Sequence, residues 1–216
     1  MSKIITILEA ADYVKDGMTV MIGGFMGNGT PENLIDALVA TGVKDLTVIC
    51  NDTAFPNKGI GKLIDNKQIK KVVVSHIGTN PVTIEQMNNG ILTVTFYPQG
   101  TLAECIRAAG AGLGGVLTPT GLGTVVAEGK PTLEIDGKTY LLEKPIRAAI
   151  ALLGANIGDK SGNLIFKGTS QNFNPIMATA ADLVVAEVEE LVEVGTLAPE
   201  TVHVSGIFVD YCCVKI

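Results

Sequence analysis

Four times in its first 110 residues the chain repeats one pattern: an apolar run of strand length, a loop rich in glycine or amides, then a segment with helical spacing. The runs are Met18 to Ile22 (MTVMI), Leu46 to Cys50 (LTVIC), Lys70 to Ser75 (KKVVVS) and Ile91 to Tyr97 (ILTVTFY). Apolar strands alternating with helices indicate βαβ units, whose mainly parallel sheet is covered on both faces. The helices carry their own end signals. Thr6 can cap a first helix that ends near Asp16-Gly17, and Thr30 with Pro31 can start a second, with Leu34, Ile35 and Leu38 on its apolar face and Gly42 at its end. A short helix is expected near Lys62, one capped by Asn80 with Pro81 in its first turn, and one from Thr101 to about Ala109.

The middle of the chain breaks the pattern. Thr132 to Lys144 (TLEIDGKTYLLEK) alternates polar and apolar residues around Asp136-Gly137, a strong hairpin signal. Alternation of strand and helix resumes with Ala148 to Leu153, Asn163 to Lys167, a helix near Pro175 to Ala181, Leu183 to Val188, and Ile207 to Val214. The expected fold is α/β: an open, mainly parallel twisted sheet flanked by helices, with an inserted β-hairpin. No linker-like stretch divides it, so residues 1–216 are expected to form a single domain.

Charge and cysteine usage narrow the function. With 16 basic and 22 acidic residues the net charge is −6, the wrong sign for a nucleic-acid binder. Cys50, Cys105, Cys212 and Cys213 form neither a metal-binding spacing nor a disulfide framework, and read as reduced thiols in a cytoplasmic protein, the last two on opposite faces of one strand. Glu9 and Asp12 fall where a signal peptide would be apolar, so export by that route is not expected. Ala108 to Ala127 runs 20 residues without a charge, but its six glycines and a proline make a poor spanning helix; it is expected to be buried irregular backbone, with no membrane partner. Glu187, Glu189, Glu190 and Glu193 read as a solvated acidic face.

Ligands of open parallel sheets bind at the carboxyl ends of the strands. The loops there hold Gly23, Gly24 and Phe25, then Asn51 and Asp52, then Ser75, His76 and Asn80, then Gln99 and Gly100. They are rich in glycine and amides and poor in nucleophile and base pairs. The first loop fails the dinucleotide fingerprint, because Glu32 stands where a third glycine belongs, and it lacks the lysine ending of a P-loop. Two readings of it stay open: a tight strand-to-helix turn, or an anion-receiving site made of bare glycine amides and a helix N-terminus. Gln99, between a strand end and a helix start, can donate to a carbonyl or carboxylate. The two histidines, His76 and His203, complete no metal-ligating or triad pattern, and His76 is expected to be bonded to backbone.

Several long blocks, in order, resemble the family I coenzyme A transferases: Asp16 to Pro31 (DGMTVMIGGFMGNGTP), Phe96 to Gly115, Leu117 to Lys130 and Asn172 to Ala181. The chain is similar to the α subunit of two-chain acetate or butyrate–acetoacetate CoA-transferases, which corresponds to the N-terminal half of fused succinyl-CoA:3-ketoacid enzymes. The resemblance implies an α/β sheet, cytoplasmic fatty-acid metabolism, coenzyme A and acyl-CoA as substrates rather than resident cofactors, small carboxylates as acceptors, and a β subunit as partner in a hetero-oligomer. It also implies ping-pong exchange, in which a glutamate attacks the acyl-CoA thioester and ends as a glutamyl-CoA thioester. That glutamate lies in a Ser-Glu-Asn-Gly motif of the β subunit. The motif is absent here, and Glu32-Asn33 lacks both flanking residues, so no catalytic nucleophile and no metal are assigned to this chain. The implied pocket comprises the backbone of Gly23, Gly24 and Phe25 and the Gln99 side chain, with Asn51, Thr118 and Gly121 as further candidates. A non-catalytic ligand-sensing domain on the same fold is the alternative, and a dinucleotide-dependent oxidoreductase a third.

Overall fold

The computed structural model describes residues 3–215. Strands β1 (Thr19–Ile22), β2 (Leu46–Ile49), β3 (Ile69–Val74) and β4 (Thr93–Phe96) follow the four apolar runs. Helix α1 (Ile7–Ala11) precedes them, and α2 (Glu32–Thr41), α3 (Ile60–Asp65), α4 (Pro81–Asn88) and α5 (Gln99–Gly110) follow in turn. Beyond these come β5 (Val116–Thr118), β6 (Thr132–Ile135), β7 (Lys138–Glu143), β8 (Ala148–Asp159), β9 (Leu164–Ile165), α6 (Asn174–Met177), β10 (Ala181–Val192) and β11 (Tyr211–Val214). The main sheet has the order β11-β10-β8-β1-β2-β3-β4, parallel throughout, with β9 antiparallel to β8. From β1 the chain winds to one side through β4, then crosses to β8 and winds to the other. The order reverses between β1 and β8, and the glycine loop leaves β1 at that switch point.

Alternation along the strands sorts the two cores. Val20, Ile22, Val48, Val72 and Val74 face Leu34, Ile35, Leu38, Leu63 and Ile64 of α2 and α3. Met21, Ile49, Val73, Ala151 and Leu153 face Leu102 and Ile106 of α5 and Met177 of α6. Cys212 and Cys213 fall on opposite faces of β11, as their adjacency in one strand requires. The inserted hairpin forms as expected, its Asp136 and Gly137 both at positive φ (51° and 70°), and β5 completes a three-stranded antiparallel sheet in the order β5-β7-β6.

Helix α1 stops at Ala11, short of the Asp16-Gly17 expected, and of the other four capped or glycine-closed ends three follow the sequence. Thr6 accepts from Glu9 N while Glu9 Oε2 accepts from Thr6 N, a reciprocal cap on α1. Asn80 Oδ1 accepts from Val82 N and Thr83 N at the start of α4, and Gly42 ends α2 at φ 69°. The exception is the start of α2. Thr30 does not cap it; a side-chain atom of Thr30 sits 2.0 Å from the point a Cβ on Gly24 would occupy, so the residue is packed against the glycine loop. The cap comes instead from Glu187 of β10, whose Oε2 accepts from Leu34 N at 2.7 Å while the Asn33 N–H donates to the same carboxylate.

Three further expectations change. Glu187 is buried at 4% exposure and does not belong to a solvated face, although Glu189, Glu190 and Glu193 do. Residues 108–127 are largely exposed, with Leu113, Leu117, Leu122 and Val125 between 36% and 79% accessible; Gly112, Gly121 and Gly123 turn the chain at positive φ, and Gly110 and Gly115 allow close approach, a Cβ there lying 2.0 Å from Thr179 Oγ1 and 2.6 Å from Leu142 Cδ1. Strands β8 and β10 each run 12 residues, pairing from Ala148 and Ala181 to Asp159 and Val192, well past the apolar runs read from sequence. Gly154 breaks the apolar pattern of β8 because the glycine loop crosses it there: a Cβ on Gly154 would lie 2.6 Å from Gly29 O. Among the described residues no helix is long and apolar enough to cross a membrane.

Burial raises the Glu187 carboxyl above its ordinary value, against the two backbone N–H groups that hold it down. The folded value exceeds the unfolded one, about 4.3, so stability is greatest below that value and is lost as pH rises through the raised folded value. The variant Glu187→Gln keeps an oxygen for α2 and should lack this fall. Melting temperatures of both proteins from about pH 4 to pH 8 check it, and parallel curves would contradict the assignment.

Candidate functional site

At the carboxyl ends of β1 to β4 the loops enclose an open hollow of about 400 Å³, lined by Phe25, Met26, Asn51, Asp52, Ser75, His76 and Gln99. Each strand contributes: Phe25 and Met26 follow β1, Asn51 and Asp52 follow β2, Ser75 and His76 follow β3, and Gln99 is the first residue of α5 after β4. Three of the candidates read from sequence, Phe25, Asn51 and Gln99, meet here.

The polar groups form one directed chain. Gln99 Nε2 donates to Asn51 Oδ1 at 2.8 Å, and Asn51 Nδ2 donates to Asp52 Oδ2 at 2.7 Å. Ser75 Oγ donates to Asn51 O at 2.7 Å and lies 3.1 Å from Asn51 Oδ1. Asp52 also accepts from Met26 N at 2.9 Å and from Ala54 N at 2.8 Å. Asn51 and Asp52 are 1% and 4% exposed, so this chain is shielded while Gln99 and His76 are open to solvent. Met26 and Ala54 both hold positive φ, 50° and 52°, a conformation costing about 1–3 kcal/mol for a residue with a side chain. On the approach to Gln99, Lys130 Nζ sits 4.9 Å from the Tyr97 ring centre and pairs with buried Glu143 at 2.6 Å, tying the small sheet to this loop.

Nothing lining the hollow is poised as a nucleophile. Its one carboxylate, Asp52, is committed to three donors, and the Ser75 hydroxyl is turned to Asn51. Burial, with the Asp52 charge adding, pushes the Cys50 thiol far up, and burial first of all lifts Cys105 to about 11. Among the described residues no group of three His, Cys, Asp or Glu side chains is placed to hold a metal ion.

Gly23 and Gly24 are buried beside the hollow, with their N–H groups already engaged by Leu152 O and Asn172 Oδ1. Phe25 and Asn28 exchange backbone bonds, and Met26 N is held by Asp52, so the loop is a closed turn. Two asparagines clamp it from outside. Asn172 Nδ2 donates to Asn28 O, and Asn174 Nδ2 donates to Gly29 O at 2.9 Å while its Oδ1 accepts from Gly154 N. Of the two readings the sequence left open, the turn is what the backbone makes, and the anion place at the start of α2 is filled by the Glu187 carboxylate. Thr118 lies in an adjoining groove with Pro98, Gly100 and Thr101. Gly121 sits under the hairpin, where a Cβ would meet Val126 and Leu141, away from the hollow. His203 is elsewhere, its Nδ1 accepting from Phe166 N at 3.0 Å.

Met26, Asp52, Ser75 and His76 were not among the candidates for this pocket. Asp52, Ser75 and His76 lie in loops already singled out as carboxyl-end loops, and that position was the available signal. Asn172 and Asn174 stand in the block Asn172 to Ala181, whose clamping role no spacing rule exposes.

A Cβ on Gly23 would stand 1.8 Å from Asn174 Oδ1, a buried group that cannot yield without releasing Gly29 and Gly154. Gly23→Ala should therefore cost about 2–4 kcal/mol by chemical denaturation. A variant as stable as the parent would show that the clamp gives way freely.

The chain as a whole has counterparts in known proteins. The family model described as coenzyme A transferase matches residues 4–215. The acetate CoA-transferase subunit alpha of Escherichia coli K12 is 53% identical over 214 residues, covering 99% of this chain and 97% of that one. The acetoacetyl-CoA:acetate/butyrate CoA transferase alpha subunit of Clostridium acetobutylicum is 51% identical, covering 97% and 96%. Among solved structures, the acyl-CoA transferase of E. coli O157:H7, determined as a thioester complex with CoA, superposes with a TM-score of 0.88 at 25% identity. That superposition covers 99% of this chain but 47% of the other, so the present chain spans about half of that enzyme's length. With a family model matched almost end to end and α subunits similar over their whole length, the chain belongs to the coenzyme A transferase family.

Proposed function

We propose that the chain is the α subunit of a short-chain acyl-CoA:carboxylate CoA-transferase acting on acetate, butyrate or acetoacetate, and that a β chain completes its site. The observation that carries this reading is the hollow itself, which offers amide donors and an apolar wall without a nucleophile. The relatives named above, two of them α subunits, supply the substrate class. The sensing-domain alternative has no comparable support.

On this reading a β-chain glutamate attacks the thioester carbonyl of acyl-CoA and expels CoA thiolate, leaving an acyl-glutamyl anhydride. The thiolate then attacks the glutamyl carbonyl and releases the carboxylate, and a second carboxylate reverses the sequence to collect CoA. The α chain's part is electrostatic and steric. Gln99 is placed to donate to the oxygen on which negative charge develops, and such a donor acts most strongly where water is excluded. Phe25 and Met26 supply the wall against which a short acyl chain packs.

Co-purification with a β chain bearing Ser-Glu-Asn-Gly, followed by CoA exchange between acetyl-CoA and butyrate or acetoacetate, tests the division of labour. Exchange should require both chains; turnover by the α chain alone overturns the proposal. In the complex, Gln99→Ala should lower kcat/KM by roughly 10²-fold at unchanged melting temperature.

A further inference from the structure

The chain of hydrogen bonds in the hollow has a direction, and only one side chain in it can set that direction. A glutamine or asparagine amide presents an acceptor on one side and a donor on the other, and either can be turned over. The Ser75 hydroxyl can donate or accept. A carboxylate only accepts. Asp52 Oδ2 therefore obliges Asn51 to offer its Nδ2, at 2.7 Å, which turns Asn51 Oδ1 toward Gln99 and obliges Gln99 to offer Nε2, at 2.8 Å. The second proton on the same nitrogen is left for a substrate oxygen. With Asp52 absent, Asn51 could turn over and Gln99 with it, presenting Oε1, which repels a developing oxyanion.

A second, independent observation puts Asp52 at the centre of the site. Its oxygens hold the backbone N–H groups of Met26 and Ala54, two non-glycine residues at positive φ. Met26 lines the hollow, and Ala54 is gripped from its other side by Thr79 Oγ1, which donates to Ala54 O at 2.7 Å. One buried carboxylate thus joins the wall after β1, the loop after β2 and the amide after β4.

We propose that Asp52 is a positioning residue: it fixes the polarity of the Gln99 amide by way of Asn51, so that the hollow always meets a substrate with a donor. The proposal deepens the transferase reading and rests on it for the identity of the substrate oxygen.

The test is a double-mutant cycle in the α/β complex with Asp52→Ala, Gln99→Ala and the pair. If Asp52 acts through Gln99, Asp52→Ala should lower kcat about 10-fold or more in the parent while moving KM for the carboxylate less than about 2-fold, and should change kcat less than about 2-fold in the Gln99→Ala background. Losses that multiply overturn the proposal, as does an Asp52→Ala enzyme with unchanged kcat. Should Asp52→Ala not fold, Asp52→Ser, whose hydroxyl no longer obliges Asn51 to offer its Nδ2 and is too short to hold both Met26 N and Ala54 N, takes its place in the same cycle and is read by the same criterion. A second measurement needs no variant and no turnover: in the 15N-labelled full-length chain, the Gln99 Nε2 proton bonded to Asn51 should be displaced from its free-glutamine shift and should exchange with solvent more slowly than its geminal partner. Both protons at free-glutamine shifts, exchanging alike, overturn the positioning claim. Failure of the parent complex to exchange CoA would instead overturn the transferase reading, so the two failures are told apart.

Discussion

The bond between Glu187 and the first turn of α2 decides what the rest of the sheet is free to do. In a doubly wound sheet the crevice at the reversal of strand order is where an anionic ligand meets helix N–H groups, drawn by a partial positive charge of roughly half a unit. Here that place holds a side chain of the protein, with Leu34 N at 2.7 Å from Glu187 Oε2. The carboxylate comes from β10, two strands away from β1 across β8, so it also fixes α2 to the far half of the sheet. With its own anion in position, the glycine loop has no phosphate to cradle, and its N–H groups close a turn instead.

On the crevice side Glu187 lines a separate open pocket of about 310 Å³ with Gly29, Gly154 and Lys215, its carboxylate occupying the helix start. At the carboxyl ends of β1 to β4 four successive loops converge on one hollow. What converges there is amide and backbone. Lys130, Glu143 and Tyr97 brace the Gln99 loop from the three-stranded sheet, which gives that exposed appendage a mechanical link to the hollow.

The sequence made the sheet legible because strand and helix periods differ, and the four apolar runs in the first half leave no ambiguity. It made the hairpin legible because Asp136-Gly137 demands one backbone shape. It was weaker wherever a distant residue set the local structure. Thr30 has every local quality of a cap, yet Glu187 takes that role from 153 positions away. Gly154 and Glu187 look like the end of one apolar run and a charge in another, and both are explained by the loop that lies over them. The hollow was half legible: Phe25, Asn51 and Gln99 stand at strand ends where a ligand site is expected, whereas Asp52 matters through hydrogen bonds no linear spacing encodes. Gly23 and Gly24 support the wall from behind, which a glycine pattern alone does not distinguish from lining it.

The clamp on the glycine loop bears on the order in which the chain can be made. Gly24 is held by Asn172, Gly29 by Asn174 and Leu34 by Glu187, contacts separated by 148, 145 and 153 positions. A nascent chain carrying α1 to α5 has the strands of half a sheet, but its glycine turn lacks the Asn172 and Asn174 clamps and the start of α2 lacks its cap until about the last fifth of the polypeptide clears the ribosome. Closing such long loops is the slow, entropically costly part of folding a parallel sheet. A truncated chain, however complete its first half, therefore leaves β1 with a loop that lacks the contacts by which Asn172, Asn174 and Glu187 hold it in the finished protein.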